Sequence, residues 1–238
     1  MLVEVCVQDL EAAVFAVKAG ADRLELCENL VVGGLSPSEA LVRNIQNSTD
    51  IPVHVLVRPR DGGFVYTAFE YETILQEIHL YKRLGVAGIV IGILKEDQTI
   101  DLDRIREIRS LTKDLHLTFH RAFDQVPDPM HAIKVLEDIG VNTILTSGQQ
   151  PTALEGLDLL QDLKELAGDL IIMPGAGINP ENINTFKVAG FSAIHFSGTR
   201  KVGHALDIPG TGHEHLKVKE TKLVFEPDWV RLMINCVK

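Results

Sequence analysis

The chain has 238 residues, 45% of them hydrophobic, and a formal net charge of −10. That length can bury one sizeable core, and the negative charge opposes nucleic acid or an anionic membrane as partner, so any anionic ligand needs a local basic pocket. Three cysteines do not read as a disulfide framework, no apolar run approaches the ~18 residues of a membrane span, and strand residues begin at Leu2 with no leader pattern ahead, so a cytoplasmic protein with reduced thiols is expected.

Along the chain, short apolar runs alternate with helical periodicity. MLVEVCV is strand-like and is followed by Leu10, Ala13, Val14 and Val17 at helical spacing. RLELC and VHVLVRPR are the next two strands, and Leu75, Ile78 and Leu84 mark a helix before GIVIG. Leu102, Ile105 and Ile108 precede LHLTFHRAF; Ile133, Leu136 and Ile139 precede NTILTSG; Leu157, Leu160 and Leu163 precede LIIMPGAG. SAIHFSG is the eighth strand. Gly20, Gly85, Gly140, Gly168 and Gly190 each stand just before a strand and are expected as left-handed helix C-caps. Strand–helix alternation forces parallel pairing through right-handed crossovers, and eight such units predict a TIM (β/α)8 barrel. It spans residues 1–238 as a single domain with an irregular last βα unit; a doubly wound open sheet is the alternative. Residues 201–226 are expected as a long loop or lid, before a closing helix from Asp228 to Cys236, where Cys236 is structural.

Strand parity sorts the side chains. Val53, Val55 and Val57 form an apolar outer set, which sends His54, Leu56, Arg58 and Arg60 toward the barrel axis. The same parity places Glu4 and Cys6, Glu25 and Cys27, His116, Thr118 and His120, and His195 with Ser197 inside. Catalytic groups of such barrels come from strand C-terminal ends, so Glu25, His120 and His195 are the acid–base candidates if the protein is an enzyme. Glu4, His54 and His116 lie deeper and read equally well as a structural hydrogen-bond network. Arg58, Arg60 and Arg121, with Ser147 and Ser197, suggest a site for a small anionic or phosphorylated ligand, against the simpler reading of ion pairs to Glu25 and Asp124. The turn Gly175-Ala176-Gly177 adds free N–H groups where barrels often hold phosphate, with Asn179 and Pro180 expected to start the next helix. Cys6 and Cys27 take the same position in consecutive strands; residue chemistry leaves core filling and Cu(I) ligation open, with core filling favoured. His213 and His215 form an H-x-H pair that reads as a solvated loop. No organic cofactor is expected.

The strings MLVEVCV, GADRLELCENLVVGGLSPS, VLVRPR, LTFHRAFD, LTSG, ALEGL, MPGAGI and IHFSGTRK, in this order, resemble the CutC family of copper homeostasis proteins, from residue 1 to about residue 201. The resemblance implies a TIM barrel, self-associated as a homodimer or homotetramer and cytoplasmic, that binds Cu(I) through the cysteines matching Cys6 and Cys27. The family pattern RPRGGDF departs here to RPRDGGF, which moves the acid to Asp61.

Overall fold

Eight βα units follow one another in the computed structural model, which describes residues 1–209 and 215–238. They are β1 (Leu2–Val7), α1 (Leu10–Ala19), β2 (Arg23–Leu26), α2 (Glu39–Gln46), β3 (Val53–Leu56), α3 (Ala68–Leu84), β4 (Gly88–Ile91), α4 (Leu102–Leu111), β5 (His116–Phe119), α5 (Pro129–Ile139), β6 (Thr143–Thr146), α6 (Leu157–Leu166), β7 (Ile171–Pro174), α7 (Ile183–Val188) and β8 (Ala193–Phe196). An antiparallel ribbon, β9 (Thr199–Pro209) with β10 (His215–Phe225), separates β8 from α8 (Pro227–Val237). The strands pair in parallel in the order β7-β6-β5-β4-β3-β2-β1-β8, and β7 lies beside β8 to bring the ends together. This is the expected TIM barrel.

Local chemistry explains where the helices start and stop. Asp9, Asp101 and Asp128 cap α1, α4 and α5 by accepting backbone N–H bonds, and Thr67 forms a reciprocal capping box with Glu70 at α3. Gly20, Gly85 and Gly140 end α1, α3 and α5 in the left-handed conformation, as expected, and Gly190 is left-handed just after α7. Gly168 is a correction: α6 ends at the extended Ala167, and the Gly168 N–H donates to the Glu137 carboxylate instead.

Residues 201–226 are a second correction, since most of this stretch pairs with itself as β9 and β10 rather than forming a long loop. Alternation such as Leu216-Lys-Val-Lys carries that strand signal. His213 lies outside the described residues, and with it the H-x-H pair.

The outer strand faces, including Val3, Val5, Val53, Val55, Ile89 and Leu117, join the helices in one continuous core. Inside the barrel two small apolar clusters remain, Cys6, Cys27, Leu56 and Val90 on one side and Leu145, Met173 and Ala193 on the other. Between them lie buried Glu4, Arg23, Glu25, His54, Thr118 and Thr143. Two glycines of the β4 region make room for this polar filling. A Cβ on Gly88 would lie 2.7 Å from the His54 ring, and one on Gly92 would collide with the His120 ring.

Gly92→Ala is therefore expected to destabilise the barrel by about 1–3 kcal/mol through overpacking, measured by urea unfolding. An unchanged midpoint would show that His120 can move aside at no cost.

Candidate functional site

A cleft of about 600 Å³ opens at the C-terminal ends of the strands, with Cys6, Glu25, Arg58, His120, Arg121 and His195 among its lining residues. Register explains the convergence. Glu4 pairs with Arg23 on β2 and with His195 on β8, while Cys6 pairs with Glu25 and Glu25 with His54. Parity then turns all of these side chains to the axis.

Glu4 is the floor of the site. Its carboxylate, with no solvent exposure, accepts from Arg23 Nε at 2.5 Å and pairs with His195 Nδ1 at 2.7 Å, while His54 Nδ1 lies 3.9 Å away. Burial alone would raise the Glu4 pKa, but the His195 hydrogen bond and the Arg23 charge overcome it and lower the group to about 2. Glu25 has only a distant cation, His195 Nδ1 at 3.5 Å, and its Oε2 has no hydrogen-bond partner. Burial, reinforced by the Glu4 charge, pushes Glu25 up to about 7 against the pull of His195. For His195, burial opposes the charge, yet Glu25 and Glu4 outweigh it and raise its pKa.

His120 behaves differently. Its Nδ1 accepts from the Ala122 N–H at 3.1 Å, which leaves the neutral ring's proton on Nε2, a buried donor with no partner. Burial, then the neighbouring Arg58 charge, lowers its pKa to about 3. The imidazole is thus held neutral. His54 and His116, also buried, are lowered to about 3 and about 4 by desolvation, and their rings pack 4.8 Å apart.

The thiols Cys6 and Cys27 are free and buried, with Sγ atoms 3.6 Å apart. They do not share a level: Cys6 pairs with Glu25, so Cys27, the residue just past β2, stands one layer further along, and the sulfurs meet on a diagonal. The hydrogen bond to Cys27, followed by burial, raises the Cys6 pKa well above its ordinary value. Cys236 lies on α8, far along the chain from this pair in the partly buried outer layer.

The arginines mostly serve loops. Arg58 donates Nη1 to the Val32 and Gly34 carbonyls and Nη2 to Gly62, leaving Nε without a partner. Arg60 is not part of the cleft lining; it turns to Glu70 and to the carbonyls of Asp61, Gly63 and Val65. Arg121 lines the rim but pairs with Asp124 at 2.8 Å and donates to Ser147 Oγ at 3.2 Å. Ser147 in turn is buried between Asp124 and the Gln150 carbonyl. Ser197 lines the cleft and bonds Thr199 Oγ1 at 2.8 Å.

The turn after β7 also departs from expectation. Gly177 lines the cleft, but Asn179 does not cap α7: the helix starts at Ile183, with Asn182 as its N-cap residue. The N–H groups of Asn179, Glu181 and Asn182 are already taken by the Asn179 and Asn182 side chains. Gly175 is required by packing, since a Cβ there would stand 2.5 Å from Leu145 and 3.3 Å from His195. Ala176 holds a positive φ of 84° beside the cleft, a strained conformation for a residue with a Cβ.

Arg23, which the site depends on, was not among the expected site residues. Its parity in RLELC, matching Glu25 and Cys27, is the signal that identifies it.

The CutC family model matches residues 1–200. The chain belongs to the CutC family. CutC family proteins from Enterobacter sp. (strain 638) and Serratia proteamaculans (strain 568) are 39% identical over 211 residues and 42% identical over 208 residues. Those matches cover 89% of this chain and 85% of the first relative, and 87% and 80% for the second. The crystal structure of the putative copper homeostasis protein CutC from Streptococcus agalactiae superposes with a TM-score of 0.78 at 32% identity, covering 82% of this chain and 97% of that one. A thiamine phosphate pyrophosphorylase from Pyrococcus furiosus shares the fold at a TM-score of 0.58 and 14% identity, covering 83% and 85%. Among the described residues of this CutC family member, no helix is long and apolar enough to cross a membrane.

The two carboxylates are expected to respond to mutation in opposite ways. Glu4→Gln strands the buried Arg23 charge and should cost about 3–5 kcal/mol at neutral pH. Glu25 has a raised folded pKa, so its burial costs stability as pH rises from its unfolded value toward about 7. Glu25→Gln should thus gain stability over the native chain at pH 8 and not at pH 4. Denaturant titrations at the two pH values decide this; equal differences at both would place Glu25 in an ordinary ionised state.

Proposed function

We propose that the protein handles copper, binding Cu(I) through Cys6 and Cys27 at the inner end of the cleft. The observation that carries this reading is the free thiol pair, 3.6 Å apart, with Cys6 facing the cleft. Thiolates are the ligands a soft monovalent cation prefers, and two of them on neighbouring rigid strands are held together before the ion arrives. The donor set therefore fits the ion. When bound, Cu(I) would displace the thiol protons that burial and mutual hydrogen bonding retain. The putative copper homeostasis role of the Streptococcus agalactiae relative points the same way. A cytosolic, self-associated state belongs to this reading and rests on the family likeness; a reducing compartment keeps both thiols available.

Competition against a chromophoric Cu(I) chelator tests the proposal. Cys6→Ser with Cys27→Ser should lower Cu(I) affinity by more than a hundredfold, while Cys236→Ser leaves it unchanged. Equal affinity in the double variant and the native chain would remove these cysteines as ligands.

A second reading, an enzyme for a small anionic metabolite, is supported by one observation on the cleft wall. Arg58 is buried and, among the described residues, has no carboxylate within ion-pair distance, although its Nε remains unpartnered. A buried cation of this kind gains from an anion. Glu25 and His195 would then supply acid–base chemistry, with neutral His120 as a hydrogen-bond donor. Thermal melts with a panel of phosphate, sulfate and small carboxylates should show a rise of Tm in the native chain that Arg58→Ala abolishes; flat melts across the panel would leave the copper reading alone.

A further inference from the structure

Three side chains of different hardness meet at one point of the cleft. A thiol sulfur of Cys6, a carboxylate oxygen of Glu25 and a ring nitrogen of His195 all lie within 4.8 Å of one another. Cys27 is not part of this set, and it is absent from the residues that line the cleft. We propose that Cys6, Glu25 and His195 form a site for a borderline divalent cation of the Zn2+ class, with a fourth position open to the cleft.

Two independent features of the site point to a cation. The first is Glu25 Oε2, an oxygen buried from solvent with no hydrogen-bond partner. A buried carboxylate oxygen costs stability unless something positive or proton-bearing meets it, and His195 at 3.5 Å is beyond hydrogen-bond distance for good geometry. The second is the Glu4 contact to His195 Nδ1 at 2.7 Å. It holds the Nδ1 proton toward the Glu4 carboxylate, so the ligand in this proposal is Nε2, the lone pair of the neutral ring, although Nδ1 is the nitrogen that stands 3.5 Å from Glu25. Histidines that ligate metals commonly show this carboxylate partner, which fixes the ring and raises its basicity.

Donor chemistry selects the ion. One sulfur, one nitrogen and one oxygen make a poor set for Cu(I), which prefers sulfur, and for Mg2+ or Ca2+, which prefer oxygen alone. Zn2+ accepts all three, with ligand atoms roughly 3.3–3.8 Å apart in tetrahedral geometry. The donors, all within 4.8 Å of one another, reach these distances by side-chain rotation. All three ligands come from the cleft wall, so the remaining position faces the opening, as in zinc sites that hold water or a substrate oxygen. Arg58 on the same wall would favour an anionic ligand there.

The site shares only Cys6 with the thiol pair proposed for Cu(I), so the two can be separated. Apo protein, reduced and stripped of metal, is titrated with Zn2+ against a chromophoric chelator, and separately with Cu(I). One Zn2+ per chain is expected. Glu25→Gln and His195→Gln should each weaken Zn2+ by at least tenfold and leave Cu(I) within about threefold, whereas Cys27→Ser should do the reverse. Co2+ serves as a second readout on the native chain: tetrahedral d–d bands with a single thiolate charge-transfer band are expected, the latter lost in Cys6→Ser. The proposal is overturned if Zn2+ affinity is the same in the native chain and both Gln variants, if Cys27→Ser weakens Zn2+ as strongly as they do, or if Co2+ gives an octahedral spectrum. Loss of Cu(I) binding alone would touch the copper reading and leave this one standing.

Discussion

The buried carboxylate of Glu4 is the interaction on which the rest of the interior depends. An ion of this kind at the axis of a barrel can persist only if its partners come from several strands at once. Arg23 from β2 and His195 from β8 flank it on both sides, and His54 from β3 stands just beyond. The network therefore spans the seam where the first barrel strand meets the last, and β1 and β8 are held in register by charge as well as by backbone pairing. Because Glu4 takes the strongest cations, Glu25 one layer above is left underpaired, which is why two carboxyls of one type differ so widely in acidity.

That asymmetry leaves the polar groups of the barrel interior unevenly satisfied. Below, His116 bonds Thr143 at 2.9 Å, while His54 Nδ1 and Thr118 Oγ1 stay without partners. Above, Glu25 Oε2, His120 Nε2 and Arg58 Nε are buried without partners. Unpartnered polar atoms are expensive in a protein interior, and those of Glu25, His120 and Arg58, all of which line the cleft, mark where binding chemistry is to be sought. The small residues of β4 take part in this arrangement, since Gly88 and Gly92 yield their space to the rings of His54 and His120.

Much of this was legible in the sequence, because the period of a strand is two and admits few mistakes. Valines at 53, 55 and 57 established the outer face, and the polar interior followed. Register was not legible. Cys6 and Cys27 close similar strings, yet the parallel pairing offsets them by one layer, a detail set by barrel shear and not by any local pattern. Arginine roles were equally hidden. Arg58 and Arg60 flank Pro59 in nearly the same context, but loop carbonyls draw one across the cleft wall and Glu70, which also caps α3, draws the other out of it. The ribbon β9–β10 was missed because its strands pair with each other, outside the strand–helix cadence that identified the barrel.

Cys6 sits at the meeting point of two ligand sets, and hardness decides what each can hold. Toward Cys27 the surroundings are sulfur with the side chains of Leu56 and Val90, an apolar corner suited to a soft monovalent ion. Toward Glu25 and His195 they are oxygen and nitrogen, donors that a borderline divalent ion accepts beside sulfur. One sulfur cannot serve both proposed ions at full strength, so filling either set would weaken the other by removing a shared donor. If both proposed sites form, the cleft would respond to the balance between two metals rather than to the amount of one, through the diagonal contact of Cys6 with Cys27.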